Sequence, residues 1–535
     1  MTSAPKESTS AQSLFPSDGK PPYVHLRETT STFSRPLGRN ELGYALVRGP
    51  RGYADSFTIV PLACSGGHTI TDDEVVQACA ALRLRHPLLA SKVAYSTTKP
   101  PELVYTSPLS NVHALREAKA QIEFHAFHAQ DASTEALRDQ WLYANPEEAL
   151  DLRNGTCSLY WGRDIDSRSG KYILGFMTPH FITDGRRRLN LVRCMLDLLA
   201  TPGRAQHELV MYFAGKMPIV EIPPALEGLC PDMRDTDPAE LVKAKAAFDE
   251  LVKLRSKPLS GLIPDGVIAE GNLQPRFIRQ TWSPEETKSI LRACKAHGVT
   301  ITQLANVASA FACVQRPGAA RFSGGPSDED SHYFEFSQAF DVNTKVPRLT
   351  NNGETETAIR IVIYPVVMSV PRAAVAESAS QDAIWDAARQ FKERNDAFVK
   401  SPYFWHFTGF YGAIAVENYM AQMAGKPFMP YMSSMGDLKS VLPIRYPVHH
   451  HHANGIVNGV NGSTRHNAEI RVLDQISAGK IDPQVANFLM YTFDDRLNIQ
   501  FKWNAGRTSD NLINSWFSRV VEIISQVAVD EGVIL

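Results

Sequence analysis

The stretch from Cys157 to Ala200, "CSLYWGRDIDSRSGKYILGFMTPHFITDGRRRLNLVRCMLDLLA", constrains the fold of this chain more than any other. Two apolar runs, "CSLYWGRDI" and "KYILGFMTPH", are joined by an Asp-Ser-Arg-Ser-Gly turn, which predicts a pair of adjacent strands. The second run stops at Pro179, and Asp184-Gly185 then opens a segment whose Leu189, Val192, Met195, Leu196 and Leu199 share one helical face. A strand, a short loop and an amphipathic helix follow one another, with His180 at the corner between them.

Similar signals recur along the chain. "YADSFTIVPLACSGG" (53–67) reads as a strand closed by glycines, and Thr71 with Glu74 forms a capping box that starts a helix over roughly 72–84. "IEFHAFHA" alternates like a strand, and a helix is expected from Ser133. Between Leu251 and Gln274 proline and glycine interrupt every pattern, which places a domain boundary there. Beyond it Ser283 and Glu286 make a second capping box, with Pro284 at the first helical position, and a further helix follows Gly298-Val299-Thr300. "HYFEFSQAFDV", "ETAIRIVIYPVVMSV", "EIRVLDQI", "QVANFLMYTFDD" and "LNIQFKWN" are strand candidates, "QDAIWDAARQFKERNDAFV" is an amphipathic helix, and a last helix spans 509–529. Hairpins outnumber strict strand–helix–strand alternation, so the expected class is α+β, with mixed sheets in two lobes. The expected division is a disordered tail at 1–22, a first lobe at 23–255, a crossover linker at 256–275 and a second lobe at 276–535. The polar stretches "QRPGAARFSGGPSDEDS" and "HHHHANGIVNGVNGSTRHN" are read as surface insertions.

Composition narrows the partners. Lys and Arg total 55 against 57 Asp and Glu, so no global field draws the chain to nucleic acid or an anionic membrane. Seven scattered cysteines without a CxxC pair suit reduced thiols. The first 22 residues lack an apolar signal-peptide core, no apolar run is long enough to span a bilayer, and the final "GVIL" matches no targeting signal. A cytoplasmic location is expected, in which the sequons at Asn154 and Asn461 stay unused.

His180 and Asp184 are the residues best placed for chemistry. A histidine whose pKa lies near neutrality can take a proton from a hydroxyl while that oxygen attacks a carbonyl, worth roughly 10²- to 10⁴-fold in rate. Asp184 can anchor the turn by pairing with an arginine, or act only as the helix N-cap. Competing sites are weaker. Ser65 in "ACSGG" lacks the first glycine of a nucleophile elbow, and the next helix starts six residues later. His449–His452 have no carboxylate or cysteine at zinc-site spacing, and His125 with His128 would splay to opposite faces of a strand, so no metal is expected. Gly324-Gly325 lacks the lysine of a P-loop. Arg186 and Arg187 are candidates for coenzyme A phosphates at a helix start; the alternative is a solvated basic first turn.

HxxxDG, as it stands from His180 to Gly185, resembles the signature of the acyltransferase superfamily that includes chloramphenicol acetyltransferase, the plant BAHD enzymes and nonribosomal peptide condensation domains. "ALRLRHPLLASKV" (81–93), "ACKAHGVTITQLANVASAFA" (293–312) and "YMSSMGDLKSV" (431–441) are similar to further segments of these proteins, and within the group the chain looks most like fungal alcohol O-acetyltransferases. The resemblance implies two chloramphenicol-acetyltransferase-like lobes with a tunnel between them, His180 midway as general base, and an acyl-CoA, with acetyl-CoA foremost, as co-substrate rather than a bound cofactor. It implies acyl transfer to a small hydroxylated acceptor of secondary metabolism by a monomer, with amide formation from carrier-bound acyl groups as the alternative. Ser433 and Ser434 become candidate oxyanion or substrate contacts. The DFGWG motif of the plant enzymes is absent. The segment that usually supplies an arginine partner for the motif aspartate reads "FDVNTKVPRL", with Asn343 at the arginine's position, so Lys345 or Arg348 is expected to substitute.

Overall fold

The expected hairpin forms: Ser158–Asp164 and Lys171–Thr178 pair antiparallel, and Gly170 closes the turn in the left-handed conformation at φ 62°. In this computed structural model the described residues are 30–529 apart from 129–132, 144–148, 231–235, 267–272, 316–329, 347–356, 376–380, 409–425, 450, 453–454, 457–467 and 484–485. The hairpin lies within a sheet ordered Arg445–Pro447, Glu469–Val472, Ser56–Cys64, Lys171–Thr178, Ser158–Asp164, Ile122–Phe127. Its last pair is parallel and the others antiparallel, so the sheet is mixed.

A second sheet runs Ile361–Pro371, Ser331–Asp341, Tyr431–Asp437, Asn487–Phe493, Arg496–Asn504, Pro275–Thr281. The chain is thus α+β with two lobes, each a mixed sheet with helices. All three N-terminal signals are built as capping boxes: Thr71 with Glu74 on Asp72–Arg85, Ser283 with Glu286 on Pro284–Ala296, and Thr300 with Gln303 on Ile301–Val314. The amphipathic segment at the motif becomes the helix Gly185–Leu199, hereafter the motif helix, and its Leu189, Val192, Met195, Leu196 and Leu199 all enter the core of the first lobe.

Two expectations about the division of the chain are corrected. Strands 445–447, 469–472 and 476–479, assigned to the second lobe by their place in sequence, complete the first sheet. The strands 469–472 and 476–479 add to the free edge of Ser56–Cys64 and 445–447 pairs onto 469–472, because a strand joins an edge whose backbone groups are unpaired. "EIRVLDQI" is also two strands, not one. Both pair with Ser56–Cys64, and the break between them turns Asp474 toward the other lobe, where it binds Arg279 through two contacts of 2.6 and 2.8 Å. Conversely the helix Pro238–Arg255, placed in the first lobe by the boundary at 256–275, buries Leu251 in the core of the second. Among the described residues no helix is long and apolar enough to cross a membrane, and all seven cysteines are free.

Candidate active site

Thr178 ends its strand opposite Ser56. Pro179 then holds φ −62° and leads into one 3-10 turn, His180–Ile182, whose Phe181 and Ile182 are buried. These two anchors set the direction in which His180 leaves the sheet. The imidazole, half-buried, stacks on the Tyr44 ring at 4.6 Å and 13°. Tyr44 belongs to the helix Arg39–Arg48, which no sequence signal singled out. Burial, and next the Asp184 charge, push the Tyr44 hydroxyl well above its usual range.

Burial pushes His180 down to about 4, with the Arg188 charge acting the same way; its own backbone and Asp184 oppose the shift. The ring is therefore neutral at pH 7. Nδ1 is buried with no partner in hydrogen-bond geometry, which leaves Nε2 as the nitrogen able to meet a substrate.

Asp184 is the N-cap of the motif helix, and its Oδ1 accepts the Arg187 main-chain N–H at 3.0 Å. Its Oδ2 accepts from the Arg187 guanidinium at 2.5 Å and from the Arg360 main-chain N–H at 3.3 Å. Burial alone would raise this carboxyl; the Arg187 charge and these hydrogen bonds outweigh it and hold the group below the usual carboxylate range. Both readings of Asp184 are thus combined in one residue.

The arginine partner comes from an unexpected position. Arg187, three residues along the same helix and 2% exposed, binds Asp184 and also donates to Asn343 of the second lobe. Lys345 is corrected as the partner: its ammonium lies 4.6 Å over the Phe404 ring. Arg348 lies outside the described residues. Arg187 is likewise corrected as a coenzyme A contact, because its guanidinium is buried and engaged. Arg186 donates to the Met435 carbonyl across the seam between the lobes. The solvated basic turn does not form either, since Arg188 is also buried, at 3% exposure. Its spacing of four from Asp184, on the flank of the apolar stripe, was the signal that could have shown this.

Gly185 lets the helix start approach the second lobe: a Cβ there would stand 2.9 Å from Met435 Sδ. Met435 is the bulged residue of Tyr431–Asp437, between the register pairs of Ser434 and Gly436. Ser433 and Ser434 precede that contact and are half-buried; Ser434 Oγ accepts from the Thr302 hydroxyl at 2.8 Å. The structure thus brings His180, Asp184, Gly185, Arg186 and Arg187 together with Asn343 and Met435 at the seam. Among the described residues no group of three or more His, Cys, Asp or Glu is arranged to hold a metal ion.

No family model and no curated protein sequence matches the chain. Solved structures do. Trichothecene 15-O-acetyltransferase from Fusarium sporotrichioides superposes with a TM-score of 0.71 at 16% identity, covering 95% of this chain and 100% of that one. The first condensation domain of the calcium-dependent antibiotic synthetase superposes at 0.56 and 14% identity, over 93% and 96% of the two chains. The SgcC5 protein from Streptomyces globisporus does so at 0.57 and 13%, over 92% and 99%. The chain has the fold of these acetyltransferase and condensation-domain structures. In this fold four of the contacts described above tie the seam: Asp474 with Arg279, Arg186 with Met435, Arg187 with Asn343, and the Arg360 main chain with Asp184.

Proposed function

We propose that this protein is an acyl-CoA-dependent O-acyltransferase, with acetyl-CoA the foremost donor and a small hydroxylated molecule of secondary metabolism the acceptor. His180 is the general base. The observation that supports this most is a neutral imidazole at a rigid strand-to-helix corner, its Nδ1 buried and its Nε2 left for a substrate.

With the ring proton on Nδ1, the Nε2 lone pair takes the acceptor hydroxyl proton as the oxygen attacks the thioester carbonyl carbon. A tetrahedral oxyanion forms and collapses with cleavage of the carbon–sulfur bond, and the departing thiolate recovers the proton from His180. No covalent acyl-enzyme is needed. Asp184 and Arg187 act as positioning residues, because together they fix the first turn of the motif helix against both lobes. A serine hydroxyl of the 431–437 strand is the proposed oxyanion donor, with Ser433 the freer of the two because Ser434 is bonded to Thr302. The protein is proposed to act as a cytoplasmic monomer, consistent with its seven free cysteines.

His180→Ala decides the matter. Thiol release from acetyl-CoA, measured over a panel of alcohols and amines, should fall by at least about 10²-fold in a variant that unfolds at the same denaturant concentration as the parent. Undiminished turnover would reject the mechanism, and product only from the amines would transfer the reading to amide formation.

A further inference from the structure

The face of the first sheet that receives the motif helix changes character along its length. Residues directly opposed in an antiparallel pair point to the same side. The pairs Val60–Leu174, Thr58–Phe176 and Ser56–Thr178 therefore share one face, and Ser477, opposite Thr58, joins them. Val60, Leu174 and Phe176 pack with Leu189 and Val192 of the helix. The end next to His180 is polar instead, built from Ser56, Thr58, Thr178 and Ser477, all buried.

Arg188 enters that polar end. Its Nε–H donates to Thr58 Oγ1 at 3.0 Å, while its Nη1 is buried without a hydrogen-bond partner. The Ser477 hydroxyl spends its one proton on Gln475 Oε1 at 2.8 Å, so the Thr58 hydroxyl, which accepts from Arg188, donates to Ser477 Oγ, 2.9 Å away. The Gln475 main-chain carbonyl separately accepts from the Tyr491 hydroxyl at 2.9 Å. This directed chain fixes the guanidinium in place. Two more polar atoms of the same network have no partner, the Thr178 hydroxyl and the Gln475 amide nitrogen.

Charge at this end is one-sided. Arg188 and Lys502 both act on His180, and neither has a carboxylate within ion-pair distance among the described residues. Lys502 Nζ is held by the carbonyls of Gly479 and Lys480 at 2.8 and 3.1 Å and feels Asp482 only at longer range. Asp184, the acidic group that acts on both His180 and Arg188, is already bound to Arg187. A buried guanidinium with no carboxylate in direct contact is costly, and the one acidic group that acts on Arg188, Asp184, is shared with Arg187.

We propose that Arg188 is a substrate-binding residue that receives a carboxylate, carried either by the acyl group or by the acceptor, beside His180. The proposal deepens the acyltransferase reading and rests on it. With Nε committed to Thr58, the outer nitrogens of the fork remain for a planar oxyanion, and a carboxylate matches that geometry. The phosphates of coenzyme A do not fit the position, because the pantetheine arm separates them from the thioester carbon that must lie at His180.

Calorimetric binding to the full chain tests this, with malonyl-CoA against propionyl-CoA for the acyl source and 4-hydroxybenzoate against its methyl ester, at saturating CoA, for the acceptor source. In one arm the carboxylate should bind at least about tenfold tighter than its neutral partner, and Arg188→Gln should bring that pair to within about twofold. No preference in either arm, or a preference that survives Arg188→Gln, would overturn the assignment. Should Arg188→Gln unfold, Thr58→Val replaces it: releasing Nε should shrink the preference several-fold, and an unchanged preference counts against the proposal. Because binding is read without turnover, a preference lost in Arg188→Gln alongside full activity in His180→Ala would keep the carboxylate site and remove only the catalytic reading.

Discussion

Asp184 and Arg187 are bound twice over, main chain to side chain at 3.0 Å and guanidinium to carboxylate at 2.5 Å, inside a single helical turn. Both are nearly inaccessible, and Arg187 reaches on to Asn343 in the other lobe. Asp184→Asn keeps the N-cap acceptor yet leaves a buried guanidinium without its anion, so the expected loss is roughly 3–5 kcal/mol of stability, together with activity. Arg187→Ala should lose a similar amount. The double variant should lose less than the sum of the two, because the pair acts as a unit. Urea unfolding of the three proteins measures this, and strict additivity would show that the ion pair has no structural weight.

The environment of His180 fixes the sign of a pH effect on activity. Burial, reinforced by Arg188, pushes the imidazole down to about 4, so the basic form persists well below the usual histidine value. kcat/KM should stay flat from pH 8 to about 5.5 and fall only as pH approaches 4. Arg188→Gln removes a cation that favours the neutral ring, and the acid limb should move upward in pH. A limb near 6.5 in the parent protein would contradict the buried setting.

Stability follows a related rule at His86, where burial, with Arg85 in second place, pushes the imidazole down to about 3. The unfolded chain binds this proton near pH 6.5 and the folded chain does not until about 3. Folding therefore has its full stability above 6.5 and loses it progressively as pH falls toward 3. The loss from this one group is of the order of 5 kcal/mol across the window. His86→Gln should flatten the acid side of the unfolding free energy plotted against pH, and an unchanged slope would show that His86 does not couple to folding.

What the sequence disclosed was whatever short-range chemistry decides. Helix starts with Ser or Thr three residues before Glu or Gln were readable because the reciprocal cap lies within four residues, as at Thr71 with Glu74. The corner at Pro179 and the cap at Asp184 were readable for the same reason. Partners across the chain were not. Tyr44 reaches His180 from 136 positions upstream, and no periodicity or turn signal marks it. Arg187 took the place expected of Lys345 because a residue one helical turn away meets the aspartate without crossing the seam. The strands at 469–479 went to the other lobe because an open edge on Ser56–Cys64 outweighs chain order.

Gly170 and Gly203 separate backbone strain from steric contact. Both are left-handed, at φ 62° and 82°. A Cβ on Gly170 would stand 2.6 Å from the Cys64 carbonyl oxygen, whereas one on Gly203 would meet nothing within 4 Å. Cys64 cannot retreat, since its own N–H donates to the Gly170 carbonyl at 2.7 Å and its strand is paired on both edges. Gly203→Ala should therefore cost about 1 kcal/mol, the left-handed penalty alone. Gly170→Ala should cost about 2–4 kcal/mol and shift the turn that leads into the strand Lys171–Thr178, just before His180. Denaturant midpoints of the two variants give the comparison, and equal losses would show that the Cys64 contact yields freely and that this hairpin end is not rigidly clamped.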